Sequence, residues 1–302
     1  MLAARRHSKR RAVVALAIVA LFGAGTVLAI AMPREERIVV GSKNFTEQVV
    51  LGELTAQAIE RYAGLAVDRR LNLGGTFICD RALQAGEIDV YVEYSGTALT
   101  AVFKQPVQRD SQAVLDDIRS RYADSGRTIL RPLGFNNTFV ILVRSADARA
   151  LGLERLSQLP AHAARWRAGF GFEFLEREDG YPGLAATYGL RFAETPRSMD
   201  VSLIYRAVAA GQIDVTAGDA TAGLIESLNL TALEDDRHYF PPYDAVPVVH
   251  SATLLRHPEI GRALDRLAGR VDEQAMRRMN NAVDVEHRDP AAVVRQFLDG
   301  LE

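Results

Sequence analysis

One cysteine and six histidines are the whole supply of thiol and imidazole side chains in 302 residues. With Cys79 alone, an internal disulfide is excluded, and the residue reads as a small buried hydrophobe. The histidines stand at 7, 162, 238, 250, 257 and 287, none at the i, i+4 spacing of a helical metal pair, so neither metal nor cofactor is expected. The chain also lacks a GxSxG elbow, a P-loop and a GxGxxG turn, and no general base lies near Cys79 in sequence. An enzyme is therefore not expected. Net charge is nearly absent: the formal value is -2, with the basic residues scattered, which argues against a nucleic-acid partner. No low-complexity segment interrupts the chain. Its 48% apolar and 25% charged residues give the balance of a folded protein, long enough for two cores.

An uncharged apolar run does stand out. Ala12 to Met32 holds 21 residues without a charge, directly behind Arg5, Arg6, Lys9, Arg10 and Arg11. Cations followed by an apolar stretch form the n-region and h-region of an export signal, and Ala29-Ile30-Ala31 has the small-x-small form that signal peptidase accepts. The run is also long enough to span a bilayer. Residues 1–31 are thus either a cleaved signal or a membrane anchor, and both place the remainder in the periplasm or otherwise outside the cytoplasm. The leader has no cysteine for lipid attachment.

The exported part opens with Ile38-Val39-Val40, a strand pattern, then Gly41-Ser42-Lys43-Asn44, then Leu51, Leu54, Ala58, Ile59 and Tyr62 at helical spacing up to Gly64. Asn44 is expected to cap that helix, with Glu47 as its capping-box partner. Such a strand-loop-helix unit aims the helix N-terminus at the crevice where open α/β sheets bind ligands. Further strands are expected at 67–71, 88–92, 129–132, 140–143, 168–172 and 213–216, with helices at 111–123 and 198–210 and a helical C-terminal part from Pro258. The last helix starts at Asp289-Pro290. Alternation of this kind is α/β.

The most informative pattern is an internal echo. Ala82-Leu83-Gln84-Ala85-Gly86-Glu87-Ile88-Asp89-Val90 matches Ala207-Val208-Ala209-Ala210-Gly211-Gln212-Ile213-Asp214-Val215 at six of nine positions, 125 residues apart. The offset is too long for a solenoid. It suggests two similar lobes, unless two common helix-Gly-strand units coincide by chance. The loops that follow, 93–97 and 218–223, are rich in small residues that let backbone approach a ligand.

Several ordered motifs carry a resemblance. Gly41-Ser42-Lys43-Asn44-Phe45-Thr46-Glu47-Gln48, Asn72-Leu73-Gly74-Gly75-Thr76, Glu93-Tyr94-Ser95-Gly96-Thr97, Gly134-Phe135-Asn136-Asn137-Thr138, Glu173-Phe174-Leu175, Arg177-Glu178-Asp179-Gly180 and Phe240-Pro241-Pro242-Tyr243 resemble successive signatures of the glycine betaine, choline and osmoprotectant-binding proteins of ABC importers. The likeness runs from Ile38 to Leu301. It implies a two-lobed periplasmic-binding-protein clamp of type II, each lobe a mixed, mostly parallel sheet flanked by helices. Lobe 1 would be 36–139 plus 241–302, and lobe 2 would be 140–240. It further implies an aromatic cage for a methylammonium group at Tyr94, Phe139, Asp219 and Tyr243. Lys43, Thr97 and Arg177 would meet a ligand carboxylate, and Asn137 would complete the site. The family usually has tyrosines where Phe139 and Asp219 stand, which leaves the ligand open among the glycine betaine, choline, carnitine and ergothioneine class.

Physical chemistry suits that arrangement, because a quaternary ammonium has no N–H to donate and prefers ring faces, each worth about 0.5–2 kcal/mol. A carboxylate suits the planar fork of an arginine. Asp219 cannot stack but can neutralise, so the expected ligand carries a net positive charge or an N–H group. The expected role is a monomeric binding protein that delivers a small cationic or zwitterionic solute to an ABC permease. A ligand-sensing receptor domain on the same scaffold is the alternative, distinguished by an attached output domain.

Overall fold

β1 (Ile38–Lys43) forms where the sequence places its first apolar run, and it is buried at every position but Val39 because strands lie on both sides of it. It pairs in parallel with β2 (Val67–Gly74) and β3 (Val90–Tyr94). The computed structural model describes residues 37–301, which form one unit from Ile38 onward. The leader lies outside the described residues, and within them no helix is long and apolar enough to cross a membrane.

The first sheet is completed by β4 (Arg127–Ile129) and a strand from far along the chain, β10 (Ala245–His250), in the order β2-β1-β3-β10-β4. Only β10 runs against the other four. In the second part of the fold, β5 (Phe139–Arg144) lies antiparallel between β8 (Val215–Asp219) and β9 (Leu230–Leu233). β6 (Gly169–Gly171) and β7 (Arg197–Met199) pair in parallel and join β8 through a parallel bridge from Ala168 to Val215. The resulting order, β7-β6-β8-β5-β9, repeats the first sheet strand for strand, with β5 as its single reversed member. The two-lobed α/β clamp expected from the resemblance is present.

The echo is a structural repeat, down to its hydrogen bonds. Gly86 and Gly211 turn with φ of 70° and 71°, a region closed to most side chains. The Ala82 and Ala207 carbonyls each accept an N–H from five residues on, from Glu87 and Gln212, both at 2.9 Å. Asp89 then accepts the Val39 N–H at 2.8 Å and donates its own N–H to the Val39 carbonyl at 2.7 Å. Asp214 does the same with Arg167, at 2.9 and 2.7 Å. These two aspartates staple a neighbouring strand and have no place in a ligand site. Because Ile88-Asp89 and Ile213-Asp214 are consumed by the turn, β3 and β8 begin two residues later than the apolar pattern suggests.

Among the helices are α1 (Thr46–Ala63), α2 (Thr76–Gln84), α3 (Ser111–Asp124), α4 (Phe172–Glu176), α5 (Ile204–Ala209), α6 (Pro258–Asp265), α7 (Glu273–Asp284) and α8 (Pro290–Asp299). α1 ends at Gly64 as expected, with Leu51, Leu54 and Ile59 fully buried, each burial worth about 1.5–3 kcal/mol. Its start differs from expectation. Asn44 does not cap it: the cap position falls on Phe45, in extended conformation and without a side-chain cap, and Glu47 turns its carboxylate elsewhere. The helix expected over 198–210 shrinks to α5, because 197–199 pair with β6 and Asp200 then accepts the Ser202 N–H at 2.8 Å in a tight turn.

β9 and β10 escape the sequence reading. In β10 the cause is Pro247, which normally argues against a central strand. Here its carbonyl accepts the Leu130 N–H at 2.9 Å, so the donor it lacks would have pointed to the same side, just past the end of β4, where the lost ladder bond matters least.

The chain passes between the two sheets along two antiparallel segments. Asn136 bridges to Asp244, the Asn137 N–H donates to the Tyr243 carbonyl at 3.1 Å, and the Asn136 side chain accepts the Tyr243 N–H at 3.2 Å.

Candidate functional site

Between the two sheets lies a cavity of about 940 Å³, and all eight residues expected at the site line it. Strand ends deliver most of them. Lys43 closes β1, Tyr94 closes β3 and Thr97 follows it, while Phe139 opens β5 directly opposite Asp219 at the end of β8. Asn137 and Tyr243 come from the two crossing segments, and Arg177 follows α4. The small residues of the 93–97 and 218–223 loops let these side chains reach one space.

Aromatic rings form one wall. The Phe139 ring centroid lies 5.0 Å from Phe174, 5.3 Å from Tyr243 and 5.8 Å from Phe240, in edge-on or tilted geometry. Such pairs hold one another in place. Tyr94 and Tyr243 are more enclosed than loop aromatics usually are, at 5% and 1% exposure.

The two expected cations are already partnered. Lys43 forms a buried ion pair with Glu93 and places its ammonium 5.0 Å from the Tyr94 ring centroid. Burial pushes the Glu93 carboxyl above its usual range, against the pull of Lys43. Arg177 is held by Asp179, with Nε donating to Oδ1 at 2.8 Å, and Nη2 also donates to Thr97 at 3.2 Å. Burial works the other way, yet the Arg177 guanidinium holds the Asp179 carboxyl below its usual range. Tyr243 donates to the same carboxylate at 2.8 Å. Arg177 also faces the Phe139 ring at 5.4 Å. Its fork is thus not fully open: Nη1 is the nitrogen without a hydrogen bond among the described residues.

Two acids beside the ring wall, Asp219 and Glu47, are in no ion pair among the described residues. Asp219 is partly exposed to the cavity, and its carboxyl is pushed up to about 7, first by burial and then by the neighbouring charge of Glu47. Its backbone N–H donates to the Tyr205 hydroxyl at 2.9 Å. Glu47, which the sequence reading had as a helix cap, is 3% exposed and sits at the junction of four donors. Tyr94 donates to it at 2.6 Å, Asn137 at 2.7 Å and Asn280 at 2.9 Å, and Thr221 donates as well. Burial raises its carboxyl above the usual range, and those four hydrogen bonds oppose the rise. Neither Asp219 nor Glu47 has an ion-pair partner among the described residues. The cavity therefore combines ring faces with two enclosed carboxyls that are in no ion pair among the described residues.

The family model for the substrate-binding domain of ABC-type glycine betaine transport systems matches residues 36–300. A glycine-betaine-binding protein of Pseudomonas aeruginosa is 31% identical over 293 residues, which is 94% of this chain and 92% of that one. An ergothioneine transport permease/ergothioneine binding protein of Helicobacter pylori is 30% identical over 269 residues; this is 88% of the present chain but 48% of that protein, so the chain spans about half of that relative's length. A crystal structure of a glycine betaine/carnitine/choline ABC transporter protein superposes with a TM-score of 0.70 at 29% identity, covering 87% of this chain and 98% of that one. With a match that runs from β1 through α8, the chain belongs to the family of substrate-binding domains of ABC-type glycine betaine transport systems.

Proposed function

We propose that this protein captures a small solute with a cationic, methylammonium-type head in the cleft between its lobes and hands it to an ABC permease in the membrane, without chemical turnover. The lobes are taken as 36–139 plus 241–302 and 140–240. The observation that carries this reading is the charge of the cleft. Lys43 and Arg177 are each paired with an acid of the protein, whereas Asp219 and Glu47 line the same cavity without an ion-pair partner among the described residues, next to the Phe139–Tyr243 ring wall. Enclosed negative charge beside ring faces favours a ligand that brings a positive charge. Phe139 cannot donate a hydrogen bond and suits methyl groups. Arg177 Nη1 would meet a carboxylate where the ligand has one.

In this reading the eight expected residues are ligand-binding residues and Glu47 joins them as a support, holding Tyr94 and Asn137 in position. The protein works as a monomer outside the cytoplasm, carried there by its apolar leader. The names of its relatives support a solute of the betaine, carnitine or ergothioneine class, and the lack of an ion-pair partner for Asp219 among the described residues favours choline-like cations or betaines with an additional N–H donor. Calorimetric titration with choline, glycine betaine, carnitine and ergothioneine at one ionic strength tests it. Micromolar binding of at least one, with plain glycine betaine the weaker, is expected. Absence of binding to all four would remove the proposal.

A further inference from the structure

Apart from Phe174 in the ring wall, the two ordered motifs Asn72-Leu73-Gly74-Gly75-Thr76 and Glu173-Phe174-Leu175 have no role in the cleft as described, and the structure brings Gly75 and Glu173 together. Gly75 is the residue that opens α2, beside the first sheet; Glu173 lies in the first turn of α4, beside the second. The Gly75 backbone is ordinary, with φ -79° and ψ -172°, so its conformation does not call for glycine. Space does. A methyl group built on Gly75 would sit 2.6 Å from the Glu173 carboxyl carbon and nearer still to one of its oxygens.

The Glu173 side chain has no hydrogen bond or ion pair among the described residues, its backbone carbonyl alone accepting the Arg177 N–H at 3.0 Å, and α2 has no side-chain cap of its own. The first N–H groups of α2 precede those of Ile78 and Cys79, which bond back to the Gly75 carbonyl at 3.1 and 3.2 Å. A carboxylate from the opposite lobe thus rests at a helix N-terminus that its own segment leaves uncapped, where negative charge is favourable. Apolar side chains flank the contact from both sides. Phe172 is 63% exposed and Ile78 is 46% exposed, and both line the mouth of the cavity.

We propose that Glu173 is a latch between the lobes, seated on Gly75 at the start of α2, and that Gly75 is glycine in order to admit it. The latch rests on the clamp reading of the cleft, but its contact exists whatever the ligand. It acts on the lifetime of the closed state and touches neither the ring wall nor Asp219. It also separates the two ends of the interface. The Glu47–Thr221 bond ties the lobes deep in the cleft, next to the crossing segments, whereas Glu173 ties them at the mouth.

The experiment compares full-length wild type with Glu173→Ala, Glu173→Gln, Gly75→Ala and the Gly75→Ala/Glu173→Ala pair. Small-angle scattering of the protein without added ligand reads lobe separation, and stopped-flow release of choline and carnitine reads closed-state lifetime. Glu173→Ala and Gly75→Ala are each expected to open the unliganded ensemble and to speed release about two- to fivefold, the size of one carboxylate at a helix terminus. The pair should be no worse than Glu173→Ala alone, since the added methyl then meets no carboxylate. Glu173→Gln keeps the shape and should lose part of the effect. Additive losses in the pair, or scattering and release unchanged in both single variants, would overturn the latch. If neither probe binds, the clamp reading fails on its own, and the scattering of the unliganded variants still decides for or against the latch.

Discussion

Phe139 and Asp219 face each other across β5 and β8, one strand's first residue against the other's last, so a ring and a carboxylate enter the cleft side by side. A hydrophobic face and a negative charge on adjacent strands read the two properties of a methylated cation together. Replacing Asp219 with Asn keeps the shape and removes the charge. Affinity for choline should fall at least tenfold, and affinity for glycine betaine much less. Paired titrations at one ionic strength give the answer, and equal losses would show that Asp219 does not discriminate between them.

The same carboxyl makes binding depend on pH. Its value of about 7 in the unliganded protein means that it is largely protonated below neutrality, whereas a cation favours the ionised form. Affinity for choline should therefore rise between pH 6 and pH 8 and level off above. Stability runs the other way. A carboxyl whose folded pKa lies above the ordinary 3.8 opposes folding increasingly as pH rises from about 4 through 7. Asp219→Asn should remove that cost, raising the Tm of the unliganded protein at pH 8 by about 2–5 °C while ligand binding weakens. Thermal melts of both proteins at pH 5 and pH 8 separate the two effects, because the gain should be small at the lower pH.

Tyr94 and Tyr243 are so enclosed that truncation to alanine would cost stability of about 3–5 kcal/mol as well as affinity. Phenylalanine is the sharper probe. Tyr243→Phe keeps the ring and deletes the bond to Asp179, and Tyr94→Phe keeps the ring and deletes one of the four donors to Glu47. Both should bind ligand within about threefold of wild type if ring faces carry recognition, since the lost bonds to a carboxylate, each worth about 1.5–3 kcal/mol, are present without ligand and so their loss falls on stability. A loss of more than tenfold in either would mean that the hydroxyl bonds, and not the rings, set affinity.

Glu47 should matter more to folding than a residue in the first turn of a helix ordinarily does. Glu47→Ala leaves Asn137, Tyr94 and Thr221 without this acceptor and Asn280 with only the Thr221 carbonyl, and should lower unfolding free energy by about 2–4 kcal/mol in urea. Glu47→Gln, which retains one oxygen, should lose much less. Similar losses in the two variants would assign the cost to the cavity and not to the hydrogen bonds.

Arg177→Lys tests the carboxylate end. A lysine cannot hold Asp179 through two nitrogens and still present a third, so carnitine should weaken by more than tenfold and choline by less. Equal effects would assign Arg177 to bracing the ring wall alone.

Much of this was legible in the sequence because it depends on local chemistry. Gly86 and Gly211, with Asp89 and Asp214 three residues on, form the same turn and staple, so their recurrence announced a repeated lobe. The ordered motifs named positions that the fold does bring to one cavity. What stayed hidden depends on partners distant in sequence. Glu47 looks like a capping residue until Thr221 and Asn280, 174 and 233 residues away, are placed beside it. The neutralisation of Lys43 by Glu93 likewise spans 50 residues. Pro247 disguised β10 because its harmlessness depends on where β4 happens to end.

The paired crossing segments constrain how the protein can move. A single connecting strand would leave one half free to swivel about the other. Two antiparallel strands, tied by the Asn136–Asp244 bridge and the Asn137–Tyr243 bond, resist twisting and sliding while still allowing both to flex together. The permitted motion reduces to a near-planar swing, like a door on two pins, so that each closing returns Tyr94 and Lys43, at strand ends of the first sheet, to the same register against Asp219 at the edge of the second. A cut in either segment should convert that swing into a wobble without releasing the halves from each other.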